Sequence, residues 1–217
     1  MLQEERATVS LSFITKKRTA FCLEKRTSME DKAIETLRTM LGRRGLDTKT
    51  ERVVTEAIEK VNLYTIGGIL IIFSQKDKGV VERDVNKMIE FAEGNDYTNG
   101  IIIVALVPPS ENVLRVIKNM TKDRPLQLFH IHQLLFDITK HRMAMPHRIL
   151  KEDERTAMFT RYNVTKPDEQ LPWIDSQDPM VKWIGGRPGD VIEVERHSDV
   201  AGIHKYYRYC VPDVNVA

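Results

Sequence analysis

Four places in this 217-residue chain combine residue types at spacings that chemistry can use. The stretch "IGGRPGDVIEVER" carries Gly185, Gly186 and Gly189. A phosphate-cradling loop of the P-loop type needs a Gly, four residues, then Gly-Lys-Ser/Thr. Here the glycines follow a helical pattern and no Lys succeeds them, so they read as a helix stop and a turn. His130 and His132 would share one face of a strand and supply two zinc ligands. No Cys, Asp or Glu stands near at ligand spacing, so no metal site is read there. A metal-dependent nuclease needs an acid at one strand and an acid-x-Lys at the next, sharing Mg²⁺. The apolar runs "ILIIF" and "IIIVALV" hold neither, and Asp77 stands just after the first without a convincing second carboxylate. "VPPSENVLRVIK" is different. Ser110 follows an apolar run and opens a helix, so unpaired N–H groups there are suited to a phosphate. Beyond the carboxyl ends of strands is where open α/β sheets collect ligands. Arg115 and Lys118 are expected to add charge along the exposed side of that helix.

The composition limits the remaining classes. Hydrophobic content of 41% and charged content of 29% are ordinary for a globular protein, and the net charge of +2 does not announce a nucleic-acid binder. The length allows one large domain or two small ones. Cys22 and Cys210 lie near opposite ends without metal-ligand spacing, a pattern of a reducing compartment. No apolar run approaches the ~20 residues of a membrane span. The opening "MLQEERATVS" has acids and no apolar core, so neither a secretory signal nor a transit peptide is read.

Residues 1–27 read either as an extra edge strand at "VSLSF" or as a tail. From Ser28, read as an N-cap with Asp31, the residues Ala33, Ile34, Leu37 and Leu41 recur at helical spacing, and Gly45 fits the C-terminal cap. A second helix is expected with Val54, Ile58 and Val61 on one face. Strands follow at 69–73, 101–107 and 126–131, separated by helical patterns on Val81, Val85, Met88 and Ile89 and on Val113, Leu114, Ile117 and Met120. Buried strands alternating with helices predict a small open, mostly parallel sheet. After about residue 142 the pattern changes. "KEDERTAMFTRY" reads as a helix, acidic first and basic last. "DPMVKWIGG" is a compact helix capped by Asp178, with Pro179 at its first position and Gly185 or Gly186 past its end. "RPGD" is a type II turn, and "VIEVER" and "KYYRYCV" are strands of a small α+β domain. The chain thus divides into an α/β domain at 1–142 and an α+β domain at 143–217.

The second half resembles the RNA polymerase subunit 5 family, which has members in eukaryotes and archaea. The resemblance runs through Thr139-Lys140-His141, Pro146 and His147, Leu171-Pro172 and Ile174. It continues with Asp178-Pro179, Gly189, Arg196, Ser198, Gly202 and Tyr207-Arg208. In the first half, "LRTMLGRRGL" is similar to the first helix of the family's jaw domain, and "NGIIIVALVPPSENVLRVI" to its strand, Pro-Ser loop and helix. Archaeal members lack this half, so its presence implies the eukaryotic or eukaryotic-virus type. "GGRPGD", Ile203-His204 and the longer N-terminus depart from the family pattern and point to a divergent paralogue or viral version.

The resemblance implies a non-catalytic subunit of a multisubunit DNA-directed RNA polymerase, with no cofactor, metal or small-molecule substrate. It places the first half in the jaw beside downstream duplex DNA, held through phosphates, with Pro109, Ser110, Asn112, Arg115 and Lys118 nearest. The second half is expected to dock on the largest polymerase subunit and neighbouring small subunits, through Thr139, His141, Pro146, His147, Leu171, Pro172, Trp173, Ile174, Tyr207 and Arg208. His141 and His147 are expected to hold the junction between the halves by hydrogen bonds. Trp173 and Trp183 read as core fillers of a short domain, with Trp173 partly covered by a partner. Localisation is expected to be nuclear, or cytoplasmic or in the virion if a virus encodes the chain. The alternative function is a free-standing DNA-binding transcription-accessory protein; no membrane association is read.

Overall fold

The computed structural model describes residues 28–214 apart from 54–57, 59, 78, 96, 98, 122–124 and 199–201. The strand or tail read at 1–27, Cys22 and Val54 lie outside the described residues. Helix α1 (28–43) buries Ala33, Leu37, Met40 and Leu41 on one face, and the Leu46 N–H closes its end on the Leu41 carbonyl at 3.1 Å. Ser28 already lies within the helix rather than capping it.

Five strands form the first sheet in the order β1-β2-β3-β4-β5: β1 Thr50–Val53, β2 Val61–Ile66, β3 Ile69–Ser74, β4 Ile101–Ala105 and β5 Leu126–His130. The three expected strands are the parallel ones, β3, β4 and β5. Every residue of β3 and β4 is buried, as befits strands covered on both faces. Ile69, Ile71, Phe73, Ile102, Val104 and Phe129 face α1. Leu70, Ile72, Ile103 and Leu128 face the crossover helices α2 (Glu82–Gly94) and α3 (Glu111–Met120).

Two expectations need correction. The sheet is mixed rather than mostly parallel, because β1 and β2 add antiparallel pairings. The second helix does not take the expected place: Thr50–Val53 and Val61 are in strands, and the helical spacing of Ile58 and Val61 is coincidental. The missed signal is Gly67-Gly68. Both have positive φ, +58° and +77°, and they join Ile66 to Ile69 in the two-residue turn that antiparallel hairpins favour.

The second sheet has the order β6-β8-β9-β7, from β6 His147–Ile149, β7 Trp173–Asp175, β8 Val191–Ser198 and β9 Gly202–Val211. Its helices are α4 (Glu152–Tyr162), α5 (Pro167–Gln170) and α6 (Pro179–Ile184). The written boundaries of α6 hold. The Asp178 carboxylate accepts from the N–H groups of Met180 and Val181, Pro179 begins the helix, and Gly185 ends it at φ +81°. Pro188-Gly189 then turn the chain, with the Asp190 N–H on the Arg187 carbonyl at 3.0 Å.

Helix α6 joins the two sheets. β5 is an edge strand, and an open edge presents unpaired backbone groups. Gln177 closes it as a surrogate strand: its amide donates to the Leu126 carbonyl at 3.3 Å and accepts from the Leu128 N–H at 3.4 Å. The Lys182 ammonium takes the Leu128 carbonyl at 2.6 Å and lies 4.5 Å from the centre of the Phe129 ring. From the other side Arg44 caps the C-terminus of α6, donating to the carbonyls of Trp183 and Lys182 and to Gln127. Trp183, 3% exposed, enters the core between α1 and the first sheet. Its indole N–H has no acceptor among the described residues. At the far side Lys118 bridges Asp175 and Asp213 at 2.6 and 2.8 Å.

Burial pulls Lys182 down to about 8, against the smaller opposing pull of Asp178 and Asp175. An unfolded lysine stays protonated to about pH 10.4. Between these values the unfolded chain binds more protons, so this residue's contribution to stability rises with pH. The Tm of the wild-type protein should therefore climb relative to that of Lys182→Met between about pH 8 and 10. Parallel curves would mean that the ammonium is not desolvated.

Candidate functional site

Three surfaces carry the expected functional residues. The first is the loop from β4 into α3. β4 ends at Ala105, and Pro108 and Pro109 lead to Ser110 in the extended N-cap conformation, φ −73° and ψ 158°. The Ser110 hydroxyl makes no cap hydrogen bond; only its carbonyl is used, by the Leu114 N–H at 3.0 Å. Pro109 is half-buried, whereas Ser110, Asn112 and Arg115 are exposed. Arg115 has no acceptor or ion pair among the described residues, so its charge is available. Glu111 places a carboxylate in the first turn, which opposes an anion at that helix end.

Lys118 does not lie free along this helix. Its side chain is 12% exposed and folds back onto Asp175 and Asp213. Burial disfavours its charge, but the two carboxylates outweigh that and hold its pKa above the ordinary lysine value. One cation of the expected pair is therefore a tie between the halves. Sequence spacing places both residues on α3, but only the fold shows that two acids 57 and 95 residues away reach one of them.

The second surface is the segment between the sheets. Two 3₁₀ turns, Ile131–Leu134 and Ile138–Lys140, fold it back against α1. Asp137 caps the second turn, accepting from the Thr139 N–H at 3.0 Å and from Arg43 at 2.7 Å. Burial raises the Asp137 pKa, but the bonds from Thr139 and Arg43 prevail and hold it below the usual carboxylate range. The Thr139 hydroxyl is engaged by the same carboxylate and by Arg43. The histidines bond locally, so they do not hold the junction. His141 Nδ1 accepts from the Met143 N–H at 3.2 Å, and His147 Nδ1 donates to the Met145 carbonyl at 2.7 Å.

What this segment displays is apolar. Phe136, Met143 and Met145 are 57%, 69% and 37% exposed. Two clefts flank Trp183 beneath them. One, of about 480 Å³, is lined by Phe129, Phe136, His141 and Met143; the other, of about 450 Å³, by Arg43, Met145, Pro146 and His147. Neither cleft contains an Asp or Glu among its lining residues. Pro146 is exposed, and its carbonyl accepts from the Glu195 N–H at 3.0 Å. Sequence reasoning missed Phe136, Met143 and Met145, although "FDITKHRMAM" holds four large apolar residues, these three and Ile138, among mostly polar ones.

The third surface surrounds β7. Ile174 is 6% exposed and belongs to the local core with Val181, Ile192 and Cys210, so it supports the sheet rather than displaying itself. Leu171, Trp173, Tyr207 and Arg208 are half-buried and Pro172 is exposed. The Trp173 indole N–H donates to the Asp168 carbonyl, and Arg208 donates to the Trp173 carbonyl at 3.3 Å. Trp173 and Trp183 thus differ: one lies at the surface and the other at the junction.

Features with catalytic potential are sparse. His130 ends β5 and bonds the Leu106 carbonyl at 3.1 Å, while His132 has left the strand for a 3₁₀ turn. Their ring centres are 4.8 Å apart. Among the described residues no three His, Cys, Asp or Glu side chains are grouped to hold a metal ion. Cys210 is buried, which pushes its thiol up to about 12, away from the thiolate a nucleophile needs. Among the described residues no helix is long and apolar enough to cross a membrane.

Residues 136–210 match the family described as RNA polymerase Rpb5, C-terminal domain. DNA-directed RNA polymerase subunit Rpo5 of Pyrococcus horikoshii is 46% identical over 78 residues, covering 36% of this chain and 93% of that protein. Rpo5 of Sulfolobus acidocaldarius is 40% identical over 75 residues, covering 35% of this chain and 87% of its own. The subunit rpabc1 of DNA-directed RNA polymerases I, II and III of Dictyostelium discoideum is 29% identical over 146 residues, covering 66% of this chain and 72% of its own. That longer match is too long for the second half alone and so reaches into the first. A near full-length match to a compact relative at 46% identity, over the part of the chain built on the second sheet, shows that this chain belongs to the RNA polymerase subunit 5 family.

Proposed function

We propose that this chain is a non-catalytic subunit of a multisubunit DNA-directed RNA polymerase; its relatives are named as DNA-directed RNA polymerase subunits. The observation that carries the reading is the apolar display of Phe136, Met143 and Met145 over the two clefts at Trp183, inside the segment that matches the family. Large exposed apolar side chains grouped over clefts are characteristic of a docking face. The second half, from about residue 143, docks on the largest polymerase subunit and its small neighbours. Thr139, His141, Pro146 and His147 belong to the face at Trp183, and the Leu171–Ile174 and Tyr207-Arg208 segments offer a second contact surface around β7, with Thr139 and Ile174 acting through the fold. The first half, to about residue 142, stands in the jaw beside downstream DNA, where Arg115 meets a phosphate near Pro109, Ser110 and Asn112. Such contact is independent of sequence and sensitive to salt. The polymerase works in the nucleus, or in the cytoplasm or virion for a virus-encoded version.

Purification through a tag on this chain should recover the large polymerase chains stoichiometrically in high salt. Phe136→Glu with Met143→Glu should lower that recovery at least about tenfold without lowering Tm, since both side chains are exposed. A chain that washes off with salt would be an accessory factor, and undiminished recovery of the double variant would remove the docking face from this segment.

Arg115→Glu should shift dissociation of elongation complexes to lower salt. It should also reduce the slope of log affinity against log salt by about one, the effect of one lost phosphate contact. Lys118 is left intact because its replacement would break the tie to Asp175 and Asp213. An unchanged slope would place Arg115 away from DNA.

A further inference from the structure

A third cleft, of about 560 Å³, opens between the halves where β4 and β5 begin, at the opposite end of the sheet from the Pro109–Ser110 loop. Its polar lining among the described residues is Arg44, Asn99, Thr121, Gln127, Ser176 and Arg187, with no Asp or Glu among them. Three of these groups are already committed to the fold. Thr121 donates to backbone carbonyls, Ser176 donates to the Pro212 carbonyl at 3.2 Å, and the Gln127 amide spans Lys182 and Arg44.

The two arginines are not fully committed. Arg44 uses Nε and Nη2 to cap α6, and its Nη1 has no acceptor among the described residues. Arg187 is exposed and held only through its backbone, its N–H by the Asp190 carboxylate at 2.7 Å and its carbonyl by the Asp190 N–H at 3.0 Å. Its guanidinium has no partner among the described residues, and neither has the Asn99 amide. Burial pulls Arg44 down to about 10, and the positive charge of Arg187 acts in the same direction with no carboxylate opposing it. Two like charges facing one recess, with no ion pair to either guanidinium among the described residues, disfavour one another, and a carboxylate between them would relieve both. Arginine forks match the two oxygens of a carboxylate.

We propose that this cleft receives the carboxylate of an Asp or Glu side chain from a partner polypeptide, bridged by Arg44 Nη1 and Arg187. Nucleic-acid phosphate fits less well. A cleft of about 560 Å³ takes a side chain and not a duplex, and it lies at the end of the sheet away from the loop where Arg115 is exposed. Arg44 and Ile184 line both this cleft and one of the clefts at Trp183, but the variants that test the two sites, at Arg187 and at Phe136 with Met143, touch only one site each and read separately.

The test uses the full chain with its arginine Nε–H resonances followed by NMR. The titrants are N-acetyl triglutamate amide, its triglutamine analogue, inorganic phosphate and a short DNA duplex. The triglutamate peptide should shift the Arg44 and Arg187 signals saturably and the triglutamine peptide should not. Arg187→Gln should weaken the peptide about tenfold, the scale of one charge-assisted hydrogen-bonded pair, with Tm unchanged. Three results would each overturn the assignment: no saturable shift, equal affinity in Arg187→Gln, or saturation of the same signals by phosphate or duplex at lower concentration than by the peptide.

Discussion

The outer edge of β5 is the constraint around which the two halves are arranged. A central sheet of buried parallel strands must end somewhere, and here the last strand ends against side chains rather than another strand. Gln177 and Lys182 satisfy the Leu126 and Leu128 backbone groups, and Trp183 fills the space between α1 and the sheet. All three residues belong to the second half of the chain. The core of the first half is therefore incomplete without a six-residue helix that arrives some 50 residues after β5. Burying an ammonium and an unbonded indole N–H there is unfavourable, and the apolar area of Trp183 offsets it.

This arrangement decides what the surfaces can be. Since α6 fixes the halves against each other, the connecting segment folds over the junction in two 3₁₀ turns and holds Phe136 and Met143 outward. Phe136 and Met143 stand over clefts whose floor is Trp183, the same residue that completes the core. Lys118 binds the other side of the junction and is withdrawn from any DNA, leaving Arg115 as the available cation of α3. Arg44, by capping α6, brings its remaining N–H groups beside Arg187 and creates a recess with positive charge on both sides. The proposed docking face, the cation proposed to face DNA and the cleft proposed to accept an acid thus all border one junction.

Much of this is legible in the residues. The helix ends written by Asp178, Pro179 and Gly185, the turn at Pro188-Gly189 and the buried runs that form β3, β4 and β5 are local signals, and local rules find them. The β1–β2 hairpin escapes those rules because Ile58 and Val61 happen to fit a helical period, which masks the Gly67-Gly68 turn that announces it. The site is less legible. Lys118 and Arg115 sit three residues apart and look equivalent, yet only one has acids from distant segments within reach. His141 and His147 attract attention as polar residues in an ordered motif, but their rings bond only two residues away. Partners that distant in sequence leave no periodicity to read.

The claim that α6 makes one cooperative unit of both sheets is most directly examined by native-state hydrogen exchange on the full chain, with and without Trp183→Ala. The account predicts that the amides of Ile71, Ile103 and Leu128 open with the same free energy as those of Ile192 and Cys210. Trp183→Ala should lower both sets together by about 3–5 kcal/mol, the usual effect of removing a buried tryptophan. Two distinct opening energies, with only one set responding to the substitution, would contradict it.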